Sequence, residues 1–80
     1  MGKTELLENI EKIHTTEMGI ERIKKNLDID TSDVVSYCKN LIKKDECIVN
    51  KIGKNFYCQL NNYILTINSY SYTIITAHKS

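Results

Sequence analysis

Eighty residues carrying a net charge of +1, no Pro, three Gly and no low-complexity run make one fully folded chain. They exclude a disordered tail and a uniformly basic nucleic-acid binder. The charges are unevenly spread. Residues 1–45 hold eight basic and nine acidic side chains, whereas residues 46–80 hold Lys51, Lys54 and Lys79 against Glu46 alone.

In chain order, Leu6, Leu7, Ile10 and Ile13 have helical spacing with Glu5, Glu8, Glu11 and Lys12 outward, which predicts a short amphipathic helix over about 4–13. His14-Thr15-Thr16 breaks it. Thr15 or Thr16 is a natural N-cap for a second helix whose buried stripe is Ile20, Ile23 and Leu27, and Gly19 suits close packing against the first helix. Asp30, Thr31 or Ser32 caps a third helix over about 32–44, with Val34, Val35, Cys38, Leu41 and Ile42 as its apolar face.

After Asp45 the apolar period falls from about 3.6 to 2. Gly53-Lys54 fits a two-residue type II′ hairpin loop, and Asn61-Asn62 fits a type I′ loop. These turns pair Ile52 with Asn55, Asn50 with Tyr57, Ile48 with Gln59, Cys58 with Leu65 and Phe56 with Ile67. Phe56, Cys58, Leu60, Leu65 and Ile67 then share one face, and Asn55, Tyr57, Gln59, Ile64, Thr66 and Asn68 share the other. The last connection has two solutions. A two-residue loop at Ser69-Tyr70 sends Ser71, Thr73, Ile75 and Ala77 to the polar face. A three-residue loop ending at Ser71 sends Tyr72, Ile74, Thr76 and His78 there. The expected architecture is one α+β domain over residues 1–80, with three N-terminal helices (1–45) on one face of a four-stranded antiparallel meander (46–80). Exposed edge strands in such a meander invite sheet-to-sheet pairing.

Cys38, Cys47 and Cys58 fall among apolar neighbours, with no C-x-x-C and no paired His. They read as small buried hydrophobes in a reducing cytosol rather than metal ligands. No apolar leader and no run of membrane-spanning length is present, so the expectation is a cytoplasmic protein with no membrane partner. No motif calls for a cofactor or a metal.

The candidate site is the polar sheet face. Asn55, Tyr57, Thr66 and Asn68 offer amides and hydroxyls to base edges or phosphate oxygens, and Tyr57 offers a ring on which a base can stack. Lys54, at the adjoining hairpin tip, suits a phosphate. Arg22 is the one Arg of the chain, a planar bidentate donor suited to phosphate. His78, next to Thr76 and Lys79, is placed to act as the proton acceptor of a metal-independent ribonuclease if the three-residue loop holds. His14 reads as a capping or packing residue at a helix junction. The expected partner is RNA or a nucleotide. The alternative is a non-catalytic module that binds a protein or sequesters a ligand on the same face.

Three stretches resemble a family of small bacterial proteins catalogued as a domain of unknown function, number 3781. They are His14-Thr-Thr-Glu-Met-Gly-Ile-Glu-Arg-Ile-Lys-Lys-Asn-Leu27, Gly53-Lys-Asn-Phe-Tyr57 and Thr66-Ile-Asn-Ser-Tyr-Ser-Tyr-Thr-Ile-Ile-Thr-Ala-His-Lys79. That resemblance implies a family but no activity. The layout, helices followed by a meander ending in Thr-Ala-His, is also similar to the small toxin nucleases of the barnase, colicin and RelE type.

Overall fold

The structure, a computed structural model, describes residues 2–79. Three helices, α1 (Gly2–Glu8), α2 (Glu17–Leu27) and α3 (Val34–Lys43), precede four strands, β1 (Ile48–Ile52), β2 (Asn55–Leu60), β3 (Tyr63–Asn68) and β4 (Ile74–Lys79). The strands form one antiparallel sheet in chain order. The fold is α+β, as the pattern predicts. All three helices pack on one face of the sheet, α1 against β1, α3 against β2 and α2 against β4.

The first helix is shorter than its apolar spacing suggests. Asn9 Nδ2 donates to the Glu5 carbonyl at 2.9 Å, which ends α1, and a separate 3-10 turn follows over Ile10–Lys12. Thr16 caps α2 by accepting from Gly19 N at 3.0 Å. Gly19 serves this cap rather than a helix contact, because a Cβ there would collide with the Thr15 hydroxyl. The cap of α3 is Asp33, not one of residues 30–32. Its carboxylate accepts from Ser36 N at 3.1 Å and from the Ser36 hydroxyl at 2.9 Å. Those bonds, the backbone one first, hold the Asp33 carboxyl below the ordinary carboxylate range. Thr16→Ala removes the α2 cap and is expected to cost about 1 kcal/mol, read as a lowered midpoint in thermal denaturation.

The turns set the register as their chemistry demands. Ile52 pairs with Asn55 across Gly53-Lys54, and Leu60 pairs with Tyr63 across Asn61-Asn62. Gly53 takes φ +61°, the left-handed value that favours glycine. Of the second pair only Asn61 takes a positive φ, 54°, so its φ signs follow the first turn and not a type I′ loop, which needs both residues positive.

The last connection combines both solutions that the pattern allows. Asn68 and Thr73 close a four-residue loop, with Tyr72 N donating to Asn68 O and Asn68 N to Thr73 O, both at 2.9 Å. Ile67 then pairs with Ile74, but Thr66 pairs with Thr76, so Ile75 is the extra residue of a β-bulge. Thr73 and Ile75 follow the shorter-loop alternation, and Thr76 and His78 follow the longer one. Tyr72 holds φ 59°, costly for a bulky residue. Its buried ring stacks on Phe56 with centroids 6.1 Å apart, which fixes it there.

Both sheet edges have cover. At β4, His14 N donates to Tyr72 O at 3.1 Å and Ile74 N donates to His14 O at 2.8 Å, so residue 14 forms a short parallel bridge beside the strand start. At β1, Lys3 Nζ donates to Cys47 O at 2.8 Å, and Gly2 lies so close that a Cβ there would sit 3.1 Å from Lys51 N. Sheet-to-sheet pairing is therefore obstructed at these positions, contrary to the expectation from an open meander.

The core lies between sheet and helices. Phe56, Cys58, Leu60, Leu65 and Ile67 are buried as the turns require, with Leu6, Ile13, Ile23, Leu27, Val34, Cys38, Leu41 and Ile42 from the helical half. The three cysteines are free thiols in this core. Burial pushes Cys38 up to about 12. The neighbouring Cys58 thiol draws Cys47 down to about 7, and Cys58 is raised by the same hydrogen bond and by burial.

Candidate functional site

The face of the sheet away from the helices is uncovered. Three cross-strand rows build it. Ile48, Gln59, Ile64 and His78 form one. Asn50, Tyr57, Thr66 and Thr76 form the second. Ile52, Asn55 and Asn68 form the third. Ile75 joins them at the bulge, 48% exposed. No Asp, Glu, Lys or Arg belongs to these rows. Ile48 and Ile52 are 61% and 64% exposed, and the Tyr57 ring is 37% exposed. The face is thus a neutral surface of aliphatic and aromatic groups interleaved with amides and hydroxyls.

Of the residues singled out from sequence, Asn55, Tyr57, Thr66, Asn68, Thr76 and His78 do share this face. Asn55 Nδ2 donates to the Tyr57 hydroxyl at 3.3 Å, which steers the phenol along the sheet. Thr66 stands between Tyr57 and Thr76. His78 stands opposite Ile64, exposed, and among the described residues nothing hydrogen-bonds its ring. A proton acceptor is usually oriented by a hydrogen-bonding partner, and among the described residues none holds the His78 ring.

Two candidates are placed otherwise than expected. Asn68 spends its side-chain oxygen on the following loop, accepting from Tyr70 N and Ser71 N at 2.9 Å each, so that atom is not free for a base edge. Arg22 is exposed on α2, in the helix layer, while Ile23 and Leu27 of the same helix face the sheet. It therefore lies across the sheet from His78, and the two do not converge. Lys54 sits at the β1–β2 turn, at the rim of the face, where its carbonyl accepts from Ser69 N at 2.7 Å.

Other features point away from an anion site. A shallow depression at the start of α2 is lined by Glu17, Met18, Ile20 and Glu21, on the helix side. Its two carboxylates repel a phosphate. Lys51 pairs with Glu5 at 3.0 Å on the core side, and Lys79 lies over the Tyr63 ring at 5.8 Å, so neither is turned to the open face. Among the described residues no group of three or more His, Cys, Asp or Glu is placed to hold a metal ion. No helix among them is long and apolar enough to cross a membrane.

Sequence reasoning missed a polar group beside this face. His14 donates from Nδ1 to the Lys12 carbonyl at 2.8 Å and meets the Thr73 hydroxyl through Nε2 at 3.1 Å. The partners are 59 positions apart, and only the parallel bridge at residue 14 brings them together. The one available signal was a hydroxyl-rich run, Ser69 to Thr73, next to an isolated His in the same chain.

A small α+β protein with a bare, neutral sheet face is the class that these observations define. No curated protein and no solved structure matches the chain, so the likeness to toxin nucleases rests on element order alone. The chain belongs to the DUF3781 family, described as proteins of unknown function, whose family model matches residues 7–78.

Proposed function

We propose that the protein is an interaction module that binds a protein partner through the open face of its sheet. The observation that carries this reading is the composition of the face. Exposed Ile48, Ile52, Tyr57 and Ile75 lie among amides and hydroxyls with no formal charge. Interface cores are depleted in charged residues and enriched in aromatics, whereas an ordinary wet face takes Lys and Glu. Burying such a face costs little desolvation of charge and gains roughly 25 cal/mol for each Å² of apolar surface covered.

RNA or nucleotide binding on the same face, with His78 as the base of a metal-independent ribonuclease, is the second reading. In its favour are the exposed Tyr57 ring and Lys54 at the rim. Against it stands the electrostatic term. Nucleic-acid affinity comes largely from cations placed on phosphates, and the face supplies none.

Tagged protein isolated from its native host tests both. The expected result is one protein at stoichiometric yield with wild type, lost with the Ile48→Lys, Ile52→Lys double variant. The variant should keep its stability within about 1 kcal/mol, since both sites are on the surface. Recovery of RNA or a nucleotide instead, released by Tyr57→Ala, would replace this reading with the second.

A further inference from the structure

Beside the open face, the side chains of His14, Thr73 and Ser71 form a hydrogen-bond chain, with Asn68 at its far end. His14 Nδ1 lies 2.8 Å from the Lys12 carbonyl oxygen. A carbonyl only accepts, so Nδ1 carries the proton, and in the neutral ring Nε2 is bare. Thr73 Oγ1, 3.1 Å away, therefore donates its hydroxyl proton to Nε2. Ser71 Oγ lies 2.8 Å from Thr73 Oγ1 and 3.3 Å from Asn68 Oδ1. The Asn68 oxygen already accepts two backbone N–H groups at 2.9 Å, which fills its two lone pairs. The Ser71 hydroxyl approaches Asn68 Oδ1 at 3.3 Å, longer than a good O–H···O bond, and Thr73 Oγ1 at 2.8 Å, so with the ring neutral its proton goes to the nearer Thr73. In the neutral ring the order is therefore Ser71 to Thr73, Thr73 to His14, and His14 to the Lys12 carbonyl.

A hydroxyl bonded to a bare imidazole nitrogen, with the imidazole held from behind by a third group, is the arrangement that makes an alcohol nucleophilic. The ring is also fixed by its own backbone, since His14 bonds Tyr72 and Ile74 on both sides. The group is reachable, with His14 and Ser71 exposed and Thr73 half-buried. We propose that Thr73 is an acyl-acceptor nucleophile and His14 its general base, taking an acyl group from an activated carboxylic ester. Thr73 Oγ1 attacks the ester carbonyl carbon while its proton passes to His14 Nε2. Collapse of the tetrahedral species breaks the bond to the leaving oxygen, which departs as a phenolate or takes that proton and departs as an alcohol. The acyl group is left on Thr73 as an ester. Ser71 is a positioning residue: its hydroxyl proton occupies one lone pair of Thr73 Oγ1 and aims the other outward. The site is separate from the interaction reading, because none of Ile48, Ile52, Tyr57 and His78 takes part.

The full chain is treated with p-nitrophenyl acetate, and the adduct is located by peptide mass spectrometry. One acetyl group on Thr73 is expected, absent in Thr73→Val. General-base catalysis supplies typically about 100-fold or more, so His14→Ala should slow acetylation of Thr73 by that factor. His14→Gln, which keeps a hydrogen-bonding side chain but takes up no proton, should show the same loss with its melting temperature held. Ser71→Ala should slow the reaction by a smaller factor. Acetyl groups found on lysines and not on Thr73, or equal Thr73 acetylation in wild type and His14→Gln, would overturn the proposal.

Discussion

Phe56→Ala is expected to lower stability by about 3–5 kcal/mol, the cost of truncating a fully buried aromatic side chain. Phe56 has no exposed surface and lies in the middle of the core face, between Lys51 and Ile67 on the flanking strands. Its ring also supports Tyr72, which packs on it at 6.1 Å and is held at a positive φ. The cavity therefore costs transfer energy and also loosens the 69–72 loop. A domain of this size has only about 5–15 kcal/mol to lose. Urea denaturation followed by far-UV circular dichroism measures the change. A shift below about 1 kcal/mol would mean that the ring is not at the centre of the core.

Leu6→Ala should cost about 2–5 kcal/mol and should do something that Phe56→Ala does not. A seven-residue helix has no stability of its own in water. α1 is held by the fully buried Leu6, by Lys3 on the carbonyls of Lys44 and Cys47, and by the exposed Glu5–Lys51 pair. Surface pairs of that kind contribute little, so Leu6 is the main anchor. When α1 detaches, Gly2 and Lys3 leave the edge of β1 and its outward backbone groups become available to another strand. The variant should associate with rising concentration more strongly than wild type does, as seen in sedimentation velocity. Equal association of the two proteins would show that α1 does not guard the edge.

The sheet was legible because its first two turns are short and chemically marked. Gly53-Lys54 and Asn61-Asn62 each fix a register, and a one-residue error in either would have put Phe56 in water. The last connection was illegible for a physical reason. The Asn68–Thr73 loop and the Ile75 bulge each move the strand by one residue, so no single loop length satisfies both halves of β4. The α3 cap was missed by one residue because Asp30, Thr31, Ser32 and Asp33 are all good caps, and only the Ser36 hydroxyl chooses among them. For the site, period two placed Asn55, Tyr57, Thr66 and Asn68 together. It had no means of showing that the Asn68 oxygen turns back into its own loop, or that Arg22 sits in the other layer. The His14–Thr73 contact needs a tertiary bridge that no local pattern encodes.

The bulge at Ile75 has a consequence for how this strand tolerates change in length. Ile74 and Ala77 face the core, and the two residues between them both face out. Loss of either Ile75 or Thr76 restores strict alternation and leaves Ala77 against Leu65 and His78 on the open face. Loss of Ala77 instead carries Thr76 inward, where its hydroxyl meets Leu65 with no partner. One strand of this fold thus holds a spare residue. Chains one residue shorter at that point can keep the same core and the same outer surface.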